Sequence, residues 1–337
     1  MKNLYSVLSI GFAAIIGGAI NYLYHPLMIR YLSIGEFAEF ESLVGTLNIL
    51  GVLTSGIGLF LVKEIAKNSG DLSVVKTIFR FSHKILFFAG CAAYLAFAAM
   101  SPFIAGFLKL ESPVPVLVVG IAILFSFQGT VVGAVLHGLK KFGYIAASGV
   151  LSSVFRLILG LSFVSLGFGM LGAVGGFVAT GAIMFFLNFL IVRNELKGFE
   201  DRYPVEDLKS GFRKNFDHIA HFFLLTLFLS ILMNLDIIFA KNLFDAETAG
   251  TYAGISVVAK FLIFLGGSVE TVYYPQIMER KKESVPRHFL VNSFGMLLLL
   301  AASAVAFNGF FGAYVLELMH AGFGRHVDIF LLLLVFG

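Results

Sequence analysis

Residues 218–240 read HIAHFFLLTLFLSILMNLDIIFA. Past its two histidines the run is apolar, broken only by Thr226, Ser230 and Asn234, which step by four, and by Asp236 near its end. An α-helix needs about 20 mostly apolar residues to cross the hydrocarbon core of a bilayer. A helix this apolar all round must lie in lipid or deep inside a large protein. Eight more runs of this kind flank it, at 5–27, 39–62, 84–108, 114–137, 144–166, 170–192, 250–275 and 288–314. A tenth begins near Val327 and stops at Gly337, too short to cross a bilayer, so the chain is expected to be a fragment that ends within its tenth span.

Composition agrees. Of 337 residues, 58% are hydrophobic and 13% charged, where an ordinary soluble domain has roughly 25% charged residues. Mean hydropathy is +0.93. These values exclude a soluble enzyme, a disordered tail and a disulfide scaffold. The net charge of +4 does not mark a nucleic-acid binder, because the basic residues lie in short loops between spans and form no single patch. The lone Cys91 sits in an apolar run and reads as a small packing residue. Lys2, an apolar stretch and then Gly17-Gly18-Ala19 look like a signal peptide, but the apolar pattern runs on, so this is a first span that is not cleaved.

Orientation follows from Lys and Arg. Eighteen of the 24 fall at the N-terminus or in every second loop, four fall on the other side, and Arg156 and Lys260 lie within spans. The positive-inside rule therefore predicts a cytoplasmic N-terminus and a multi-pass protein of the cytoplasmic (inner) membrane. The longest connection, 193–217, carries Val205, Leu208, Phe212 and Phe216 on one helical face and Lys209, Arg213 and Lys214 largely on the other. It reads as an amphipathic helix on the inner leaflet, or else as a solvated linker. It divides the chain into a six-helix lobe at 1–193, a linker at 194–217 and an incomplete lobe at 218–337. Six spans is an even number, so both halves start from the same side, the layout of a parallel-repeat transporter. The expected fold class is all-α, with two pseudo-symmetric bundles of membrane helices. A faint echo supports the repeat: Ala38-Glu39-Phe40 and Gly250-Thr251-Tyr252 open corresponding spans after short acidic loops.

Ionisable residues inside spans mark candidate pathways. A central Arg or Lys facing lipid costs about 2.5–3.5 kcal/mol on insertion scales. Arg156 and Lys260 should therefore face a wet cavity or meet partners, with Asp236, Glu41 and Glu270 as further candidates. Polar and small residues share their faces: Gly149, Ser152, Ser153 and Gly160 with Arg156; His218, Thr226, Ser230 and Asn234 on the seventh span; Gly45, Asn48 and Ser55 with Glu41. Such stripes line cavities, and they also serve close helix packing with interhelical hydrogen bonds. His218 and His221 have a metal-compatible spacing but no third strong ligand nearby, so no metal site is assigned. There is no GxxxxGK[ST] loop for ATP, no cofactor is expected, and the short outer loops leave little room for a membrane enzyme.

The stretch Tyr31 to Lys67, YLSIGEFAEFESLVGTLNILGVLTSGIGLFLVKEIAK, resembles the end of the first span and the second span of polysaccharide (O-antigen) flippases, of the MATE-like multidrug/oligosaccharidyl-lipid/polysaccharide exporter superfamily. Phe142 to Gly176 resembles their fifth and sixth spans. Asn234-Leu-Asp236 followed by Asp245-Ala-Glu-Thr-Ala-Gly250-Thr-Tyr252 resembles their seventh and eighth. The resemblance implies two lobes around a cavity with alternating access, and a polyprenyl-diphosphate-linked oligosaccharide carried from the inner to the outer leaflet. For such a cargo Arg156 and Lys260 are the expected phosphate binders, with Asn234 and Ser152 beside them, because a guanidinium can grip two phosphate oxygens. Asp236, Glu270 and Glu41 are the expected coupling sites for a proton or sodium, or else ion-pair partners of the basic residues. The alternative is an ion-coupled exporter of drugs or metabolites. Two central basic residues and the absence of an acid before Glu36 favour an anionic cargo. A non-transporting scaffold would tolerate neutral residues at 156 and 260.

Overall fold

The computed structural model describes residues 2–200, 205–260 and 287–336. Among these it holds helices and no strands. The helices are α1 (Lys2–Tyr31), α2 (Ile34–Gly51), α3 (Ser55–Lys67), α4 (Leu72–Ala99), α5 (Ser101–Phe107), α6 (Val114–Gly138), α7 (Phe142–Phe163), α8 (Gly169–Glu195), α9 (Val205–Lys214), α10 (Phe216–Leu243), α11 (Ala246–Ala259), α12 (Arg287–Met319) and α13 (Val327–Phe336). Six stretches of the described residues are long and apolar enough to cross a membrane. The chain is a multi-pass, all-α membrane protein.

One of those stretches, Phe142–Glu195, is 54 residues long, about twice what a bilayer needs. It is folded in two. Gly167 at φ +90° and Gly169 at φ +52° occupy backbone conformations that residues with a Cβ rarely adopt, and they turn α7 back along α8. The span read from 39–62 is also broken, by a 3-10 turn at Val52–Thr54 between α2 and α3. Hydroxyls at this break reach neighbouring helices: Thr54 pairs with Thr130 of α6 at 2.7 Å, and Ser55 with Thr226 of α10 at 2.8 Å.

Helix starts follow local chemistry. Ser33 and Glu36 form a reciprocal capping box that opens α2. Asp245 caps α11 by accepting from the Glu247 and Thr248 backbone N–H groups. The Thr248 hydroxyl and N–H hold the Asp245 carboxyl below the usual carboxylate range. The two starts echoed in the sequence lie side by side, since a Cβ at Gly250 would fall 2.1 Å from the Ile34 carbonyl oxygen. Gly250→Val should therefore force backbone apart and lower stability by about 1–3 kcal/mol. Gly133→Ala, which meets nothing within 4 Å, is the control. Thermal unfolding in detergent checks this, and equal melting temperatures would show that the contact yields.

The first buried core forms around Tyr24, which is fully buried and donates to the Ala173 carbonyl at 2.8 Å. Gly160 and Gly176 let α7 and α8 close on its ring, as a Cβ at Gly160 would lie 2.2 Å from the Tyr24 Oη. Phe37, Phe40 and Leu43 of α2 complete this packing. On the outer surface, Leu224, Leu225, Phe228, Leu229 and Leu232 leave one face of α10 exposed, as suits contact with acyl chains. Toward the other end, the Lys241 ammonium is buried and faces Glu39 of α2 at 3.4 Å.

α9 stands where the 193–217 periodicity predicts a helix. The inner leaflet was the expected partner of its apolar face, but two of those residues meet protein. Leu208 is buried, and the Phe212 ring packs edge-on against Phe60 of α3 at 5.5 Å. Phe216 remains exposed.

Candidate functional site: a polar cavity

A cavity of about 350 Å³ lies between α1, α2, α7, α8, α10 and the end of α11. Its polar wall is made by Asn21, His25, Glu41, Asn48, Arg156 and Asn234, with Lys260 at the same recess. Such a volume is within the range of small-ligand sites. Each polar residue is delivered by a helix whose remaining faces are apolar, so the polar groups converge because they share the side that faces away from lipid.

Arg156 arrives from the middle of α7. Its guanidinium donates to the Asn21 side-chain oxygen of α1 and lies over the Phe177 ring of α8, 4.1 Å from the centroid. A desolvated cation over a ring gains about 2 kcal/mol. The Nε is buried with no hydrogen-bond partner among the described residues. No carboxylate among the described residues lies within 4.0 Å of the guanidinium. A ring quadrupole and a neutral amide hold this charge, and neither cancels it.

Lys260 is different. Its ammonium reaches both oxygens of Asp236, at 2.8 and 2.9 Å. Ser256 and Tyr252 also donate to Asp236, at 2.8 and 3.3 Å. Lys260 is therefore neutralised by a carboxylate on a neighbouring helix. Ten residues separate it from Glu270 in sequence, and Glu270 lies outside the described residues.

Glu41 is almost wholly buried, and its Oε1 meets His25 Nδ1 at 2.5 Å. The pair joins α1 to α2 at the cavity wall. Asn234 accepts from Asn48 Nδ2 at 3.0 Å and gives its own amide to the Ser230 carbonyl at 2.8 Å. Gly45 leaves room for it, since a Cβ there would be 3.4 Å from Asn234. The polar stripes of the second and seventh spans thus meet each other, which satisfies them by packing and also lines the cavity. Ser152 is half-buried one turn before Arg156 and is not among the residues lining the cavity. Ser153, its neighbour, is buried and bonds back to the Gly149 carbonyl at 3.1 Å.

His25, Asn21 and Phe177 were not read from the sequence. The rule that selects Glu41, an ionisable group inside an apolar run, applies equally to His25. Asn21 precedes His25 by one helical turn and so shares its face. Phe177 follows Gly172-Ala-Val-Gly175-Gly176, a stretch that reads only as helix packing.

The fold is shared with transporters of known structure. A MOP-superfamily transporter from Pyrococcus furiosus, reported with a binding pocket of reversed polarity, is 15% identical with a TM-score of 0.59, over 98% of this chain and 77% of that one. A multidrug-resistance MATE-family transporter in an outward-facing conformation is 16% identical with a TM-score of 0.62, over 98% and 77% of the two chains. A MATE protein in its straight conformation is 17% identical with a TM-score of 0.63, over 98% and 78%. Comparison with curated proteins yields no match. The sequence profile of the family described as polysaccharide biosynthesis protein matches residues 4–280, and the chain belongs to that family.

Proposed function

We propose that the protein is a membrane transporter that carries a polyprenyl-diphosphate-linked oligosaccharide from the inner to the outer leaflet of the cytoplasmic membrane. It works by alternating access between a lobe at 1–193 and a lobe beginning at 218, joined by the linker 194–217, with its N-terminus in the cytoplasm. The observation that carries the reading is Arg156, a guanidinium in a membrane cavity with no carboxylate beside it among the described residues. A diphosphate supplies the missing anion and takes the planar fork's unused donors. Asn234, also in the cavity lining, offers a neutral contact, and Ser152 would need to rotate toward the cavity to join it.

Lys260 enters as a second cation when its partner lets go. A proton on Asp236 would release the ammonium toward the cavity, and departure of cargo would let the pair reform. Asp236 is thus the coupling site this reading favours for a proton. Glu41 with His25, and Glu270, are the other carboxylates on which a proton or sodium would act. The exporter of cationic compounds needs an unpaired acid in the cavity. Glu41 and Asp236, the carboxylates described here, each already hold a partner.

Native mass spectrometry of the purified protein with its co-isolated lipids tests the proposal. The wild type should retain a polyprenyl-diphosphate sugar that Arg156→Gln loses. Retention of cationic compounds without any diphosphate lipid would replace it with the exporter reading.

A further inference from the structure

A second recess lies away from the cavity and shares none of its lining residues. It is a cleft of about 310 Å³ between α3, α4 and α9. Ile57, Phe60, Phe81, Ile85 and Leu86 make its apolar walls, and Leu208 and Phe212 of α9 make its roof. Ile85 is 48% exposed on a stretch long and apolar enough to cross a membrane, so the cleft opens on the side that such a stretch turns to lipid. Lys209 and Arg213 lie one helical turn apart at its rim.

The two cations are available to a ligand. Lys209 meets Glu206 at 3.2 Å on an exposed turn, a pair of the kind that contributes little. Arg213 is exposed and has no ion pair among the described residues. On the far side of α9, Lys63, Lys67 and Lys214 surround another recess and keep the local potential positive despite Glu64 and Asp207. An apolar slot open to lipid, with a basic rim where the membrane helices end, matches an amphiphile with an anionic head. Free anions would find the rim but leave the slot empty, and a peptide helix would find α9 already covering its roof.

We infer that this cleft is a binding site for an anionic glycerophospholipid of the adjoining leaflet, one acyl chain lying against Phe60, Ile85 and Leu86 and the phosphate held by Lys209 and Arg213. The bound lipid fastens α9, and with it the linker 194–217, to α3 and α4. The site is independent of the cargo cavity and stands whether or not the transport reading does.

The test is titration of the purified full chain in detergent with phosphatidylglycerol or phosphatidylcholine, read by native mass spectrometry. Phosphatidylglycerol should bind with defined stoichiometry and phosphatidylcholine much more weakly. Lys209→Ala with Arg213→Ala should weaken phosphatidylglycerol about tenfold or more, since each basic residue near an anionic surface contributes to such binding. Both residues are on an exposed helix face, so the fold should survive. Ile85→Trp, which fills the slot from an exposed position, should weaken it through the tail alone, and Arg156→Gln should leave this lipid in place. Equal binding of the two lipids, or binding indifferent to both the rim and the slot variants, would overturn the assignment.

Discussion

Arg156→Gln is expected to cost the protein its anionic ligand while leaving the fold intact. A hydrogen bond to a charged group is worth about 1.5–3 kcal/mol, so loss of the guanidinium should weaken binding of a diphosphate lipid by roughly 10- to 150-fold. Stability should move the other way or not at all. In the empty cavity the guanidinium is desolvated against Phe177 and Asn21 with no carboxylate near it among the described residues. A glutamine keeps a polar amide at this wall, although it is shorter than the guanidinium, and it removes a charge that is costly to bury. Arg156→Lys should be intermediate, because an ammonium keeps the charge but not the planar fork. The checks are lipid retention by mass spectrometry and thermal unfolding of the same samples. Unchanged retention in Arg156→Gln would remove the central basis of the transport proposal. A large fall in melting temperature would instead make Arg156 a structural residue.

Asp236→Asn should have the largest effect on stability. It leaves the Lys260 ammonium facing an amide where two carboxylate oxygens stood at 2.8 and 2.9 Å. Removing one partner of a fully buried pair costs about 3–5 kcal/mol. Here the side chains retain 18% and 25% exposure, so about 2–3 kcal/mol is the expectation after allowing for water. Adding Lys260→Met removes the orphaned charge and should restore most of the loss. If the double variant melts no higher than Asp236→Asn alone, the pair is not what stabilises this junction. The same single variant bears on coupling. With Lys260 permanently released, cargo binding should persist while export in cells fails, because the pair can no longer reform. Normal export by Asp236→Asn would exclude Asp236 as the coupling residue.

The fold was legible because a bilayer imposes a length. Runs near 20 apolar residues can be read without knowing what they pack against. The break at Val52–Thr54 was not legible, since Val, Leu and Thr continue the apolar pattern and only tertiary hydroxyl pairs mark the turn. The reversal near Gly167 was legible as a boundary between two spans, and its backbone geometry was not. Cost arguments located Arg156 and Lys260, because a charge in hydrocarbon must have a reason. The same arguments could not separate the two. Lys260 has Asp236, 24 positions earlier in the chain, whereas Arg156 has a ring and an amide, and that difference belongs to helix packing. Ser152 shows the limit of face-sharing: one turn from Arg156 on the same helix, it is not among the cavity-lining residues. His25 shows the opposite limit. The rule that selects Glu41 reaches it as well, but its pairing with Glu41 across helices leaves no mark in either span alone.

The contact between Asn21 and Arg156 also has a history. Its two ends are 135 residues apart. A ribosome adding roughly 5–20 residues per second needs on the order of ten seconds to make that interval. For that time α1 is in or near the bilayer without α7, its eventual neighbour. The helix that must wait keeps its permanent charges, Lys2 and Arg30, at its two ends and places only neutral or weakly basic groups, Asn21 and His25, between them, and Glu41 follows His25 within 16 positions to meet it. The permanent charge of this contact rides on the later helix and reaches the membrane when its amide and its neighbouring span are already there. The order of synthesis thus spares the first span a buried cation that it would have had to carry alone.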